Sequence, residues 1–509
     1  MGTDLEISSN KKSRFSPFLK QCFVTAGVGC NIIGHGCVLG YPAILLPQLE
    51  GPNAQFKLST SAASWIASIM GITQLLGSFL TPSIMERYGR KISHFAVIIP
   101  NLLSWFIIML AFNFEMLFAA RVLQGLSIGL LSPLRSVLIG EYTSPKNRGA
   151  FLTTVSLTQS FGIFFVHLIG SLLSWQTTAL ICVIFPFISF IMTIYSPESP
   201  SWLVTKGRHD DCRKVFHWLR GHEEDKELDE MIEARIMFEK AKIAEKAERK
   251  TNGLQNLVVI IRKPEFYKPI ILMMHAHVLV NFSGGTTMTA YSTVILESVM
   301  GPDANKYFWM IFLDGQRLVF NAAAVFAINR FKRRTMMFAT GAISILSQFS
   351  LAGYLYFKGQ GSLAYDAFWI PVLLINMKIF AVAVGMLPLP NVIGGEVFPL
   401  EYRSIGGTIS LASFSGTFFI VLKTFSSLLN SVGMYGLYLV YGSVLTYCMI
   451  VIWWLLPETK GKTLQQIEDE FKGRPMSSEE KEELKSLQED PVKQYMRRMS
   501  EWSVQSIHV

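Results

Sequence analysis

The stretch that decides the fold is EYTSPKNRG, residues 141–149, which follows a long apolar run and places Arg148 seven positions after Glu141. The same arrangement returns 255 residues later as EVFPLEYR, residues 396–403, with Glu396 and Arg403 again seven positions apart and again after an apolar run. A charged pair repeated at equal spacing is typical of an internal duplication. The two copies therefore predict a chain built from two related halves.

The composition indicates a membrane protein. Of the 509 residues, 50% are hydrophobic and only 16% are charged, and the mean hydropathy is +0.35, whereas soluble domains carry about 25% charged residues. The net charge of +9 does not indicate nucleic-acid binding, because the basic residues lie between the apolar runs. The six cysteines lack metal-ligand spacing, and the sequence contains no nucleophile–base set or phosphate loop. We therefore expect no metal, no cofactor and no enzymatic activity.

Apolar runs long enough to cross a bilayer, about 20 residues each, occur twelve times. They form two sets of six on either side of a polar stretch. The sequence therefore predicts an all-α membrane protein with twelve transmembrane helices in two six-helix halves. Predicted spans 1–6 cover 21–46, 60–82, 92–112, 116–140, 150–173 and 177–196, and spans 7–12 cover 269–296, 305–328, 335–357, 367–393, 406–429 and 434–456.

Basic residues concentrate in one set of short loops, for example at 87–91 and 330–334. Such loops face the cytoplasm, and both termini fall on the same side. The polar stretch between the halves has aromatic residues among its charges, which favours a small packed helical layer over a solvated linker. The predicted organisation is a cytoplasmic N-terminus (1–20), an N-terminal six-helix half (21–196), a cytoplasmic helical linker (197–268), a C-terminal six-helix half (269–456) and a cytoplasmic tail (457–509).

Three motifs recur in the same order after equivalent spans. MERYGRK (85–91) matches INRFKRR (328–334), the Glu–Arg pair occurs twice, and PESPSWL (197–203) matches PETKGKT (457–463). Parallel repeats of this kind are typical of transporters with a solute site between their halves.

Arginines at the edge of the membrane can reach carboxylates and helix carbonyls on a neighbouring span. We expect those after span 2 to pair with Glu141 and Glu198, and those after span 8 to pair with Glu396 and Glu458. Such pairs would latch the two halves together on the cytoplasmic side; the alternative is that the charges only fix the topology. The predicted gate consists of Glu86, Arg87, Arg90, Glu141, Arg148, Glu198, Arg330, Arg333, Arg334, Glu396, Arg403 and Glu458.

These motifs, together with RVLQG (121–125) and EVFP (396–399), resemble the signature set of the sugar-porter family of the major facilitator superfamily. LKTF (422–425) and the short first outer loop are similar to insect trehalose-transporter relatives in particular. The resemblance implies an alternating-access transporter of sugars or similar polyhydroxylated solutes. It also implies a multi-pass protein of the plasma membrane whose partners are a small solute and the lipid bilayer.

The positions that form the sugar site in this family are only partly kept. Asn391 stands where the family has a tryptophan, and Ser156 stands where it has a glutamine. Amides and an indole suit a sugar because they bind hydroxyls and pack on its face, so the hydrogen-bonding set is thinned. The alternative role for each candidate is interhelical packing. The substrate-binding candidates are Ser156, Gln159, Asn281, Thr286, Thr287, Tyr291, Asp314, Arg317, Asn391 and Ser415.

Two charges lie inside span 8. Asp314 and Arg317 are one helical turn apart, so we expect them to pair. Counting from Asn329 at about 1.5 Å per residue puts Arg317 about 18 Å from the inner edge, where charges are costly and usually functional. Lys378 and Lys423 lie nearer the outer side, and we expect both to snorkel.

The mode of transport is predicted from span 1. Proton-coupled members of the family carry an aspartate just after GY, whereas this chain has Pro42 there, although the arginine that the aspartate partners is present as Arg121. We therefore expect passive transport. Two alternatives stay open: a transporter of the same fold that carries a charged organic solute through Asp314 and Arg317, and a nutrient sensor that does not transport.

Overall fold

The structure is a computed structural model that describes residues 16–473, except 52–53, 223, 234–261, 364–365, 368, 400–401 and 463. The second part of the predicted linker, the outer part of the tail and residues 1–15 therefore lie outside the described residues. Everything described is helix, turn or irregular chain, with no strand among these residues.

The N-terminal half contains spans 1–6, three of which are broken into two helices. Span 1 breaks at Tyr41, directly before Pro42. The helices are Pro17–Gly40 and Pro42–Glu50 (span 1), Thr60–Ser68 and Met70–Tyr88 (span 2), Arg90–Met109 (span 3), Phe114–Tyr142 (span 4), Pro145–Leu172 (span 5), and Trp175–Cys182 and Ile184–Tyr195 (span 6).

The C-terminal half contains spans 7–12. Span 7 breaks twice. Spans 11 and 12 follow each other directly and are separated by a kink at Gly433, whose φ is 70°. The helices are Pro264–Phe282, Gly285–Ala290 and Ser292–Met300 (span 7), Lys306–Arg330 (span 8), Arg333–Gly359 (span 9), Trp369–Ala381, the π-helix Val382–Met386 and Pro388–Val397 (span 10), and Arg403–Leu455 (spans 11 and 12).

The described chain has ten helical segments long and apolar enough to cross a membrane. The segment Ile405–Leu455 supplies two spans because of the turn at Gly433, and the broken span 7 supplies one more. The predicted twelve-span architecture is therefore confirmed. The predicted start of span 7 at residue 269 is late, because the helix already begins at Pro264.

Helix caps on one side of the membrane explain where four spans begin. The side chains of Ser59, Asn113, Ser174 and Asn305 each accept a hydrogen bond from a backbone N–H three residues later. Short polar side chains of this kind satisfy the free N–H groups of a helix start. These loops lie opposite the basic loops, so the two faces are called here the capped side and the basic side.

The two halves repeat one packing pattern. Span 1 packs on spans 5 and 6 and span 2 on span 4, while span 8 packs on span 10 in the same way. Spans 2 and 4 approach so closely that a Cβ on Gly129 would overlap the backbone of Gln74, as small residues allow between membrane helices. The halves meet where span 2 lies beside span 11 and span 5 beside span 8.

The first part of the linker forms two short helices, Pro200–Thr205 and His209–Arg220. Phe216 is buried in an apolar cluster with residues of both helices. Arg220 donates to the carbonyl of Thr143 at 2.8 Å, which fixes the layer to span 4. The described part of the linker, up to residue 233, is thus a small packed helical layer.

Candidate functional site

The basic side of the N-terminal half carries a closed charge cluster. Arg90 forms two bonds to the carboxylate of Glu141, at 2.7 and 2.8 Å, and Ser199 donates to the same carboxylate. Glu198 accepts the backbone N–H groups of Arg90 at 2.8 Å and of Lys91 at 3.2 Å. Burial raises the pKa of the Glu198 carboxyl despite these hydrogen bonds, because desolvation disfavours its charged form.

The C-terminal half places the equivalent residues in the same arrangement. Glu458 accepts the backbone N–H groups of Arg333 at 3.0 Å and of Arg334 at 3.2 Å, and Thr459 donates to Glu396. Arg333 lies 3.5 Å from Glu396, farther than the 2.7 Å between Arg90 and Glu141. The duplication seen in the sequence therefore extends to individual bonds, but the described contact between arginine and glutamate is longer in the second cluster.

Two other predicted gate residues, Arg403 and Arg330, have described contacts within their own half. Arg403 points its guanidinium at the carbonyls of Gly395 and Phe398, at 3.4 and 3.3 Å. The carbonyl of Arg330 accepts a bond from Lys460 at 2.8 Å. The predicted gate residues that lie outside the two clusters are Glu86, Arg87, Arg148, Arg330 and Arg403.

The contacts described for both clusters therefore join helices of the same half. The expectation that the paired charges latch one half to the other is wrong for this conformation. The physical reason is the duplication itself, because each half carries its own arginine, its own glutamates and its own acceptors within reach. The clusters tie span 3 to spans 4 and 6, and span 9 to spans 10 and 12, and so make each half rigid.

Contacts between the halves lie elsewhere. On the capped side, Thr293 donates to the carbonyl of Ala43 at 3.1 Å, which joins span 7 to span 1. Lys423 donates to Ser64 at 2.9 Å and lies 4.1 Å from the ring centre of Trp65, which joins span 11 to span 2. This side of the molecule is closed.

Two further contacts between the halves lie inside the membrane, between spans 5 and 8. Asn321 donates to Ser160 at 2.6 Å. His167 and Asp314 meet at 2.5 Å through Nδ1 and Oδ2, and the histidine is fully buried. A charged or polar contact in this environment is far stronger than the same contact in water.

The bond between His167 and Asp314 requires a proton of its own. The other ring nitrogen of His167 lies 3.0 Å from the carbonyl of Gly40, and a carbonyl can only accept, so that nitrogen carries a hydrogen. The Nδ1 contact then holds a second proton, either on the imidazole or on the carboxyl group. In either arrangement the pair as a whole carries no net charge.

The expected ion pair between Asp314 and Arg317 is therefore not formed. Asp314 turns toward span 5, whereas Arg317 donates to the hydroxyl of Thr289 on span 7 at 2.8 Å. One helical turn permits contact between two side chains but does not require it, and each finds a partner on another helix. Both residues line a small cavity together with Gly284, Gly285, Met288, Ser292, Met310, Leu313, Lys378, Ile379 and Val382.

Contrary to the prediction, Lys378 does not snorkel. Its side chain is 2% exposed, and its ammonium lies against Gly284, where a Cβ would stand 2.6 Å from Nζ. Gly284 has a φ of +87° and sits in the break of span 7, so only glycine suits both the backbone and the lysine. The centre of the Tyr438 ring lies 4.9 Å from Nζ of Lys378.

Three of the predicted site residues are bonded within the C-terminal half. Asn281 is fully buried, donates to Thr417 at 2.8 Å, and accepts from Thr286 at 3.0 Å. The hydroxyl of Tyr291 donates to the carbonyl of Leu422 at 3.2 Å. These side chains hold the broken span 7 against span 11, as expected for the alternative role of interhelical packing.

The remaining candidates do not gather in one place. Thr287 bonds to the carbonyl of Gly284 in its own helix, and Ser415 is fully buried. Ser156 and Asn391 are exposed and Gln159 is half-buried, which leaves these three available to a solute between the halves.

The sequence-based selection missed His167, Ser292 and the inward direction of Lys378. The available signal was an ionisable residue inside a membrane span, which by itself indicates a functional position. His167 has that signal in the apolar run FVHLIG (165–170). Which helix it faces could not be deduced from the sequence.

The described chain has twelve spans in two related halves, which are closed on one side and joined through buried polar residues. This architecture is typical of secondary transporters. A profile of the family described as "Sugar (and other) transporter" matches residues 21–471. Because this match covers most of the chain, the protein belongs to that family. The expected membership of the sugar-transporter family is thereby confirmed.

Similar proteins include the facilitated trehalose transporters Tret1 of Culex quinquefasciatus, 26% identical over 91% of this chain and 87% of the relative, and of Aedes aegypti, 25% identical over 89% of this chain and 55% of the relative. The chain spans about half the length of the curated relatives from Aedes aegypti and Drosophila yakuba.

Solved structures confirm the fold. The proton:xylose symporter XylE bound to 6-bromo-6-deoxy-D-glucose has a TM-score of 0.67 at 18% identity, over 90% of this chain and all of that chain. The inward open conformation of XylE from E. coli also has a TM-score of 0.67, at 19% identity over 89% of this chain and 99% of that chain.

Proposed function

We propose that this protein is a facilitative transporter of sugars or similar polyhydroxylated solutes in the plasma membrane, with the basic side and both termini in the cytoplasm. The family and the trehalose transporters named above support the solute class. The excess of basic residues in one set of loops supports the orientation.

The distribution of contacts between the halves carries the proposal. Thr293 and Lys423 bind the opposite half on the capped side, whereas the charge clusters on the basic side bind within their own half. With the basic side in the cytoplasm, this arrangement is an inward-facing state. Transport then requires the capped-side contacts to break while the rigid halves rock about the central site.

Passive transport is supported by span 1 and its surroundings. Pro42 occupies the position of the acid in proton-coupled members, and Arg121 donates instead to the carbonyls of Ile66 and Val38 and to Gln124. The arginine is 1% exposed, and its Nε and Nη1 have acceptors without a carboxylate, whereas Nη2 has no acceptor among the described residues. A solute can therefore cross without a proton at this position.

The test is uptake of labelled trehalose and glucose by the purified protein in liposomes. We expect equilibration without accumulation, and an initial rate that a proton ionophore leaves unchanged. Accumulation driven by an inward proton gradient would refute passive transport, and Asp314 would then be the first residue to examine.

Alternating access is tested separately by cross-linking the closed side. In the double variant Ala43→Cys with Thr293→Cys, a short bifunctional thiol reagent should stop uptake, because the two residues are in contact across the halves. The two single variants treated in the same way are the controls for the native cysteines. Full uptake by the cross-linked protein would refute the proposed movement.

A further inference from the structure

We propose that the cavity between spans 7, 8 and 10 binds an oxyanion, a carboxylate or a phosphate ester, carried by the transported solute. This proposal deepens the transport function proposed above and rests on it. It names Lys378, Arg317 and Ser292 as the residues that recognise the anionic group.

The charge of the cavity is the first reason. The one carboxylate in its wall, Asp314, shares a proton with His167, so this pair contributes no net charge. Arg317 bonds to a neutral hydroxyl on Thr289. Lys378 adds a second cation. The described wall of the cavity therefore carries two positive charges that no carboxylate compensates.

Unused hydrogen-bond donors are the second reason. The ammonium of Lys378 has three N–H donors and finds no acceptor among the described residues; its only described partner is the ring face of Tyr438. Ser292 is 2% exposed, and its hydroxyl likewise lacks a partner in the described part of the chain. A buried polar group without a partner is costly, and a cation without one is more so, which indicates that a ligand supplies the missing acceptors.

The environment favours an anion over a neutral hydroxyl group. The rest of the wall is apolar, with Met288, Met310, Leu313, Ile379 and Val382 around the polar residues. In such surroundings the attraction between a cation and an oxyanion is much stronger than in water. A hydroxyl of a neutral sugar could accept one bond from Lys378 but would leave both charges uncompensated.

The size of the cavity limits what enters it. The space is small, so it accommodates the anionic group while the hydroxylated remainder of the solute faces the gap between the halves. Gln159, Ser156 and Asn391 are the exposed or half-buried candidates that remain for those hydroxyls. Sugar acids and sugar phosphates both have this combination of groups.

The experiment compares three labelled solutes in the same liposomes: D-glucuronate, D-glucose 6-phosphate and D-glucose. We expect one of the two anions to be taken up with a KM at least about tenfold below that of glucose, because a hydrogen bond to a charged group is stronger than one to a neutral hydroxyl; tenfold corresponds to about 1.4 kcal/mol. The better anion decides between a carboxylate and a phosphate.

The variant Lys378→Met should abolish this preference, measured as the ratio of anion uptake to glucose uptake. It should also keep or raise the melting temperature, because it removes a buried charge that lacks a carboxylate partner. If Lys378 had only a structural role, Lys378→Met would lower the melting temperature and leave the ratio of anion uptake to glucose uptake unchanged. Lys378→Arg should retain the preference, and Lys57→Met, at an exposed lysine in the loop before span 2, is the matched control.

Two results would overturn the anion site, and they differ from a failure of the transport function. If glucose is transported at least as well as both anions and Lys378→Met leaves the ratio unchanged, the site is wrong while transport stands. If no solute is transported, the melting temperature decides: stabilisation of the wild type by glucuronate or glucose 6-phosphate, lost in Lys378→Met, supports the site, and no stabilisation refutes it. Should Lys378→Met not fold, Ser292→Ala serves in the same assays.

Discussion

The charges at the basic side and the charges at the centre of the membrane follow opposite rules. The clusters around Glu141 and Glu396 are repeated in the two halves, and their described bonds stay within each half. The central residues are not repeated. His167 bonds across the halves to Asp314, and Lys378 has no acceptor among the described residues.

This difference separates structural charges from functional ones. A charged group that both halves inherit has a partner in each half, and its bonds persist while the halves move. His167 and Lys378 have no repeated counterpart; the first has its partner in the other half, and the second lacks a described acceptor, which a ligand can supply, so we expect their bonds to change during transport. Repetition thus indicates rigidity, and its absence indicates the working site.

The largest expected effect is loss of the first cluster. Glu141→Gln leaves the guanidinium of Arg90 mostly buried without its carboxylate, because the two side chains are only 14% and 17% exposed. We expect the free energy of unfolding to fall by about 3 kcal/mol, measured as a lower melting temperature in detergent. Glu115→Gln, an exposed glutamate on span 4, is the control. Equal stability of the two variants would contradict a structural role for the cluster.

A smaller effect is expected at the centre. Asp314→Asn removes the proton-sharing bond to His167, so the inward-facing state should lose about 1.5 kcal/mol relative to the outward-facing one, roughly tenfold in population. The measurement is the reactivity of single cysteines placed on the two sides of the membrane.

A double-mutant cycle sharpens this prediction. If Asp314 acts through His167, the combination of Asp314→Asn with His167→Asn should shift the population little more than either change alone. Additive shifts would show that the two residues act independently, and the bond between the halves would then have no role in the conformational change.

The smallest effect is expected in the second cluster. The contact that Glu396→Gln removes, at 3.5 Å, is longer than the two contacts of Glu141 at 2.7 and 2.8 Å, so its cost should be about 1 kcal/mol and clearly below that of Glu141→Gln. Melting temperatures of the two variants, measured side by side, test this order. An equal loss would mean that the distance does not reflect the strength of the cluster.

The twelve-span architecture and the duplication were predictable from the sequence because both depend on local properties. Apolar length determines where a helix crosses the membrane, and equal spacing of Glu141 and Glu396 to their arginines reveals the repeat. The pairing of Arg90 with Glu141 also follows, since equivalent motifs meet at the same ends of neighbouring helices. The predicted latch between the halves did not follow, because sequence spacing does not say in which half a partner lies.

The central site was decided only by the tertiary structure. From the sequence, Asp314 and Arg317 are neighbours on one helix, and Lys378 is near a membrane edge. In the folded protein the rotation of span 8 turns Asp314 toward His167, and the break of span 7 at Gly284 makes room for the ammonium of Lys378. Composition and periodicity determine which segments become helices, but the side chains that meet between helices depend on how those helices are rotated and broken, and that is determined by packing across the whole fold.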